Sequence, residues 1–246
     1  MPYLNKFQLG CDPEFVALGP RNGIINVERF FPHVHGEVGS DHGGRVVELR
    51  PAPKFKAYSL VRQMKRLLNG EATQAIREYR WKAGAVAGPG LTLGGHVHLG
   101  MPIATANRNH VTGALDKLTL SLENLEILPS AESKARRDGG RYGHFGDVRA
   151  SGADNHYEYR AMASWLFRPL SAFVCLTLAK LAAFRPARLN DFPAQLELRH
   201  LEEFARGYAD RDDDARRLVE RIFERRRRLQ GDPGVDLRES WEALEL

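Results

Sequence analysis

The sequence is poor in cysteine, and this limits its chemistry. Only Cys11 and Cys175 occur among 246 residues, too few for a disulfide framework or a cysteine-rich zinc site. A reducing compartment is therefore expected, and any metal ligands have to be histidine and carboxylate side chains. Residues 1–6 have no basic region followed by an apolar stretch, so no signal peptide is predicted and the cytoplasm is the expected location.

Long apolar runs are also lacking. The most apolar stretch, residues 164–184, contains Arg168, Pro169 and Lys180, whereas a bilayer span needs about 20 mostly apolar residues. We interpret this stretch as a core helix, and we expect no membrane partner.

The common nucleotide and nucleophile motifs are missing too. There is no G-x-x-x-x-G-K-[ST], and residues 88–94 do not have the glycine spacing of a dinucleotide site. Ser164 and Cys175 lie in no nucleophile elbow. A P-loop, a Rossmann site and a serine or cysteine hydrolase are therefore not supported.

The excess of positive charge is small. Lys and Arg number 36 and Asp and Glu 31, which gives a net charge of +5. The positive charge is dispersed and no nucleic-acid reading motif accompanies it, so nucleic acid is disfavoured as a partner. A phosphorylated small molecule suits this charge equally well.

Length and composition predict one folded domain. A chain of 246 residues with 43% hydrophobic and 27% charged residues can bury a full core. We predict a single domain over 1–246, with a motif-bearing core at about 8–185 and a charged helical C-terminal extension over 186–246.

The pattern of apolar residues predicts an α+β fold with a mainly antiparallel, curved sheet and helices packed on its outer face. Two segments are expected to be loops, 30–44 and the charged 136–143; the part over 136–142 is a candidate lid. The predicted strands are 8–18, 24–27, 45–50, 95–100, 145–149 and 157–161, and the predicted helices are 54–68, 72–81, 107–128, 164–184 and 198–230.

Five predicted strands each carry two polar or ionisable residues separated by one residue. A strand has a side-chain period of two, so both members of a pair point to the same face, and the apolar residue between them points to the other. One sheet face would thus collect carboxylates, imidazoles and guanidinium groups. The pairs are Asp12 and Glu14, Glu48 and Arg50, His96 and His98, Asp147 and Arg149, and Glu158 and Arg160.

Such a face is costly to bury unless the charges neutralise one another or hold ions. Oxygen-rich sites with a minor imidazole contribution suit Mg²⁺ or Mn²⁺, which commonly bridge to substrate phosphates. Arg50, Arg149 and Arg160 would then face phosphate oxygens, where planar guanidinium groups make paired, charge-assisted bonds. The pattern predicts a site for phosphoryl transfer.

Each pair also has a plainer interpretation. A single Glu-x-Arg on a strand is usually a surface ion pair of little energetic value. Five such pairs in one chain are what indicates a shared site. A second His-x-His, His33 and His35, falls in a predicted loop and is interpreted as a solvated feature. The run Arg225 to Arg228 is interpreted as the solvated face of a charged helix.

These segments resemble, in order, a known family: the phage-type COOH–NH2 ligases (amidoligases, type 2) of the glutamine-synthetase and glutamate–cysteine ligase superfamily. The resemblance covers roughly residues 8–170, and the ordered set is more specific than any one motif. The matching segments are GCDPEF at 10–15, GSD at 39–41, VELRP at 47–51, GGHVHLG at 94–100, YGHFGDVR at 142–149, EYR at 158–160 and SWL at 164–166.

The resemblance implies a glutamine-synthetase-like catalytic domain that uses ATP and Mg²⁺ or Mn²⁺. It implies metal binding by four residues, Glu14, Glu48, His96 and Glu158, with Asp12 and Asp41 as additional or outer ligands. Arg149 and Arg160 would bind nucleotide phosphates or an acyl phosphate. Asp12 stands where larger family members carry Glu, and His42 stands where Gly is more usual.

The implied reaction joins a carboxylate to an amine, both small-molecule or peptide substrates, through an acyl phosphate. We expect Arg149, Arg160 and Asp41 to take part in catalysis, with Asp41 as a proton acceptor, and Arg50 and His98 to help hold the nucleotide. The main alternative is a phage-related binding or structural module that kept the fold and lost turnover. A metal-dependent hydrolase using His96 and His98 is a weaker alternative, since it would not need three arginines.

Overall fold

The computed structural model describes residue 4 and residues 8–31, 36–100, 107–139, 142–151, 156–223 and 236–242. Within these residues, no helix is both long and apolar enough to cross a membrane. Two predicted features, the His33 and His35 pair and the run Arg225 to Arg228, lie outside the described residues.

The architecture is built on one sheet of seven strands. Its main path has the order β2-β3-β1-β7-β9-β8, β4 pairs with β1, and every pairing is antiparallel. A separate hairpin is formed by β5 and β6. The strands are β1 Gln8–Leu18, β2 Val38–Asp41, β3 Val46–Leu49, β4 Arg80–Lys82, β5 Val86–Gly88, β6 Leu91–Thr92, β7 Gly95–Gly100, β8 Val148–Ser151 and β9 His156–Tyr159.

Nine α-helices occur in the described residues, several of them short. They are α1 Ala57–Leu68, α2 Glu71–Gln74, α3 Arg108–Asn124, α4 Ser130–Asp138, α5 Pro169–Phe184, α6 Pro186–Asn190, α7 Leu198–Arg206, α8 Asp213–Leu218 and α9 Leu237–Glu242. A 3₁₀ turn over Trp165–Phe167 precedes α5, and a π-helical turn over Val219–Phe223 follows α8.

The core lies between one face of the sheet and the helices. Strand residues that alternate with the polar pairs, such as Val97 and Tyr159, are fully buried in one cluster with α1, α3 and α5. Nearly every position of α5 is buried, as expected for a helix that is apolar all round. The predicted α+β class, with a mainly antiparallel sheet and helices on its outer face, is confirmed.

Several predicted elements are wrong. Residues 38–41, expected in a loop, form β2 because they pair with β3. Residues 24–27, expected as a strand, make only an isolated bridge between Ile24 and Leu18. The helix expected over 198–230 is interrupted between Arg206 and Asp213.

A helix over 72–81 does not form, because Trp81 instead pairs with β1 as part of β4 and packs against Phe15 with ring centroids 5.3 Å apart. The predicted loop and lid at 136–143 is helical up to Asp138, because the buried side chain of Arg136 donates hydrogen bonds to carbonyl groups of the core.

Candidate active site

The register of the central strands places the polar pairs on one face. Asp12 on β1 lies opposite His96 on β7, and Glu14 on the same strand lies opposite Glu48 on β3. Residues directly opposite in an antiparallel pair share a face, with Cβ atoms about 4.5–5.5 Å apart. The acidic pair of β1 is therefore flanked by an imidazole on one side and a carboxylate on the other.

The same arrangement continues across the other half of the sheet. Glu158 on β9 lies opposite His98 on β7 and opposite Arg149 on β8. Arg160 follows directly after β9, where its backbone N–H donates to the carbonyl oxygen of Asp147. These strands thus bring a carboxylate and two guanidinium groups to the face that carries His96.

A cavity of about 270 Å³ opens on this face. Eight residues predicted to bind metal or take part in catalysis line it, together with four others. The eight are Asp12, Glu14, Asp41, Glu48, His96, Arg149, Glu158 and Arg160. The four others are His42 and Thr92, and Arg136 and Tyr142 at the two ends of the candidate lid.

Glu158 is the most enclosed carboxylate of the site, with 2% of the residue exposed. Its two oxygens lie 3.2 Å from Nε of Arg160 and 3.3 Å from Nη1 of Arg149. Nδ1 of His96 is 3.6 Å away on the third side. Two guanidinium groups and one imidazole therefore already surround this carboxylate. Of the two arginines, the exposed Arg149 has more freedom to turn toward a ligand.

Asp12 connects the two histidines of β7. Its Oδ1 lies 3.0 Å from Nδ1 of His96 and 3.1 Å from Nε2 of His98. Burial acts to raise the pKa of Asp12, but the two imidazoles outweigh it and hold that pKa well below its usual range. Burial likewise acts to lower the pKa of His96, and the carboxylate of Asp12 outweighs it, so this pKa is raised.

Three polar atoms of Asp12, His96 and His98 lie close together without forming well-aligned hydrogen bonds. Asp12 Oδ1, His96 Nδ1 and His98 Nε2 are buried and make no well-aligned hydrogen bond within the described chain. Buried polar atoms are normally paired, and convergent donors that point at a common space are typical of an ion site. Their geometry fits a cation held between them.

Two groups of side chains could each hold a metal ion. Asp12, His96 and Glu158 offer one ligand atom each within 4.8 Å of one another, and Glu14, Asp41 and His42 form a second such group. Both combine two carboxylates with one imidazole, a donor set suited to Mg²⁺ or Mn²⁺. The residues present therefore fit a site for two divalent ions.

Burial raises the pKa of two carboxylates here, Glu14 in the second group and its neighbour Glu48. Burial raises the pKa of Glu14 despite the backbone N–H of Gly94, 2.6 Å from Oε2. Burial and then the charge of Asp12 raise the pKa of Glu48 to about 7. A divalent ion would favour the charged form of both side chains, because metal ligands bind deprotonated.

Two residues predicted to hold the nucleotide are not among the residues that line the cavity. Arg50 is turned toward Glu48, and its Nε donates to Oε2 at 2.8 Å. Gly39 on β2 makes room for this guanidinium, since a Cβ there would lie 2.2 Å from Nη1. His98 lies behind Asp12, with its Nδ1 2.8 Å from Nε2 of His156. Both residues support the lining carboxylates from the side.

Arg136, which the sequence places in the candidate lid, is only 3% exposed. Its Nη1 donates to the carbonyl oxygens of Ala161 and Met162 at 3.0 and 2.8 Å. Gly143, with φ +79°, packs against the guanidinium where a Cβ would come within 2.8 Å. Because charged residues surround Arg136 in the sequence, its burial could not be predicted from the sequence pattern and is seen only in the structure.

Comparison with known proteins places the chain in a described family. A family model described as phage phiEco32-like COOH.NH2 ligase-type 2 matches residues 9–235. No curated protein matched.

Two solved structures are similar to this chain at low identity. A bifunctional glutathione synthetase from Pasteurella multocida aligns with 88% of this chain and 41% of its own, at 11% identity and a TM-score of 0.45. A glutamine synthase homologue aligns with 87% of this chain and 64% of its own, at 15% identity and a TM-score of 0.43. This chain spans less than two thirds of either structure.

The family match extends over most of the sequence and includes every strand that contributes to the cavity. The chain belongs to the phage phiEco32-like COOH-NH2 ligase type 2 family.

Proposed function

We propose that this protein joins a carboxylate to an amine in a reaction driven by ATP and supported by Mg²⁺ or Mn²⁺. The observation that carries the proposal is the convergence of acidic, imidazole and guanidinium side chains from six strands on one cavity. Membership of a ligase family supports it, and carbon–nitrogen ligation at neutral pH requires the carboxylate to be activated first.

The proposed roles follow from charge and position. Glu14, Glu48, His96 and Glu158 would hold the ions, with Asp12 and Asp41 completing the donor set. Bound divalent ions neutralise charge on the transferring phosphoryl group and orient it.

Arg149 and Arg160 lie beside Glu158 on the cavity wall. Guanidinium groups make paired hydrogen bonds to phosphate oxygens, and such preformed charge is most effective where charge develops in the transition state. Once Glu158 is engaged by an ion, both arginines lose a competing partner. They would then face the phosphoryl group.

The reaction balances without a protein nucleophile. A substrate carboxylate oxygen attacks the γ-phosphorus of ATP, ADP leaves, and an acyl phosphate results. The amine nitrogen then attacks the acyl carbon, inorganic phosphate leaves, and the ammonium proton passes to a base. Asp41 is the proposed base, since its side chain is half exposed at the cavity edge.

The proposed substrates are a small-molecule or peptide carboxylate and amine, and the proposed location is the cytoplasm, where ATP is available. Both cysteines are buried free thiols, in line with a reducing compartment. We further propose that residues 1–246 form one domain, because α7 and α8 contribute Leu201, Phe204 and Leu218 to the same core as the sheet.

The test is to measure ADP release and amide product with pools of amino acids, polyamines and peptides in the presence of Mg²⁺. Glu158→Gln and Glu48→Gln should each lower turnover by about 100-fold or more, because each removes a proposed ligand charge. Glu202→Gln is the matched control, since Glu202 belongs to a surface pair with Arg206.

Equal turnover by the parent and both cavity variants would remove the assigned roles. Tight binding of magnesium–ATP in calorimetry without any ADP release from the full substrate pools would instead favour a module that has lost turnover.

A further inference from the structure

His42 contributes a nitrogen donor to the second group of metal-binding side chains. It lies in the turn between β2 and β3 and lines the cavity. A ring nitrogen of His42 and carboxylate oxygens of Glu14 and Asp41 lie within 4.8 Å of one another. Glu14 reaches this point from the centre of the sheet, so the group joins an edge turn to the central strand.

The backbone at His42 is unusual for a residue with a bulky side chain. Its φ is +50°, followed by +65° at Gly43 and +79° at Gly44. Glycine and asparagine adopt this region at lower cost than histidine does. The backbone N–H of His42 donates to Oδ1 of Asp41 at 2.6 Å, which fixes the turn and both donor side chains relative to each other.

An aromatic contact orients the imidazole. The rings of His42 and Tyr142 meet edge to face, with centroids 5.9 Å apart and planes at 89°. Tyr142 also lines the cavity. This contact comes from a different segment of the chain, so two independent elements hold His42 toward Glu14.

We propose that His42 is a ligand of the ion bound by Glu14 and Asp41, and that it shifts this position toward ions that accept nitrogen, such as Mn²⁺ and Co²⁺, relative to Mg²⁺. The proposal rests on the proposed function, which supplies the ion. Mg²⁺ prefers oxygen donors, whereas imidazole strengthens binding of transition metals. Exchange of the nitrogen for an oxygen therefore changes selectivity more than it changes binding of Mg²⁺.

The test uses His42→Asn, which replaces the nitrogen with an amide oxygen, and His42→Gly, which removes the donor. Both residues tolerate the positive φ, so loss of fold is not expected. Calorimetric titration with Co²⁺, Mn²⁺ and Mg²⁺ in the absence of nucleotide should show about a tenfold or greater loss of Co²⁺ affinity in both variants. Mg²⁺ affinity should change less in His42→Asn.

Pulsed electron paramagnetic resonance of bound Mn²⁺ gives a readout that does not depend on activity. With Mn²⁺ at both ion positions, the parent should show two ¹⁴N couplings, one from His96 and one from His42. The coupling that persists in His96→Asn should be the one that disappears in His42→Asn. His144→Asn is the matched control, because His144 is exposed and does not line the cavity. It should leave both couplings in place.

The possible failures are distinguishable. If the parent binds no divalent ion, the metal-dependent function fails, and the inference fails with it. If the parent binds Mn²⁺ but His42→Asn keeps the same Co²⁺ to Mg²⁺ ratio and the same ¹⁴N couplings, only the role of His42 is overturned.

Discussion

At the residue scale, burial raises the pKa of Glu48, a proposed metal ligand that binds an ion in its charged form. Its pKa in the fold is raised from 4.5 to about 7 by burial and by Asp12, and Arg50 does not fully compensate. The folded state therefore binds a proton more tightly than the unfolded chain does. It follows that this group lowers the free energy of unfolding as pH rises from the unfolded pKa through the folded one.

Glu48→Gln should remove this dependence in protein kept free of metal with a chelator. The melting temperature of the variant relative to the parent is expected to rise by a few degrees between about pH 5 and about pH 8. Thermal melts at several pH values measure it. If the melting temperatures of both proteins change with pH in the same way across this range, the raised pKa is contradicted. At the higher pH, saturating Mg²⁺ should make the parent melt at a higher temperature than Glu48→Gln, because only the parent offers a carboxylate at this position.

The alternation of polar and apolar residues was sufficient to predict which residues would share a face. Asp12 and His96 were assigned to one face from the strand period alone, and the register places them directly opposite. The same reasoning could not find His42, because its position depends on a turn with positive φ. The alternation also could not predict that Arg50 pairs with Glu48 and does not itself line the cavity. That position of Arg50 depends on the space beside Gly39.

At the scale of elements, the nine-residue helix α4 connects two parts of the cavity wall. Glu132 accepts hydrogen bonds from the backbone N–H groups of Ala85 and Val86, which begin the β5–β6 hairpin. Arg136 binds the carbonyl groups that follow β9. The periodicity of the sequence stops predicting a helix here because the side chains that bury α4 are charged.

Arg137 anchors α4 to α3 through an ion pair with Glu123, which is buried, while Arg137 itself is partly buried. Its two Nη atoms each lie 2.7 Å from an oxygen of Glu123, and its guanidinium lies 4.6 Å from the ring centre of Phe145. Arg137→Met should cost about 3–5 kcal/mol in the free energy of unfolding, because Glu123 is left buried without its partner. It should also speed hydrogen exchange at the amide of Gly146, which donates to Oδ1 of Asp116 on α3 and directly follows Phe145, the residue whose ring Arg137 covers.

Urea unfolding and amide exchange measure both effects. Arg206→Met removes the exposed partner of Glu202 and should cost less than about 1 kcal/mol. A double variant, Glu123→Leu with Arg137→Met, should recover most of the loss. Similar costs for the buried and the exposed pair would refute the assigned importance of Arg137.

At the scale of the whole molecule, one buried ion pair joins the central helix to the C-terminal region. Nζ of Lys180 on α5 lies 2.8 Å from Oδ2 of Asp212 and donates to the carbonyl oxygen of Phe55 at 3.0 Å. Asp212 also caps α8 by accepting from the N–H of Ala215. From the sequence, Lys180 was noted only as a charged residue that argues against a membrane span. Its pairing with Asp212 could not be predicted, because the two residues are 32 positions apart.

Lys180→Met should therefore destabilise the whole chain and not only its C-terminal part. The expected loss is about 3–5 kcal/mol, because Asp212 is left buried and unpaired. Trp241 is buried on α9 and donates to the carbonyl oxygen of Leu166 at 2.6 Å. Far-ultraviolet circular dichroism and the fluorescence of Trp241, measured with Trp81 and Trp165 replaced by Phe, should report one shared midpoint. Two separate transitions would show that residues beyond about 185 fold as an independent unit.

The central position of β1 limits how this protein can vary in length. Its neighbours β3 and β7 align Glu14 with Glu48 and Asp12 with His96, and a shift by one residue would turn both acids into the apolar core. A single inserted residue within Cys11–Glu14 should therefore abolish ion binding outright. The same insertion in the turn at 19–23 leaves the pairing of Asp12 and Glu14 unchanged, so length variation among relatives is expected to concentrate there.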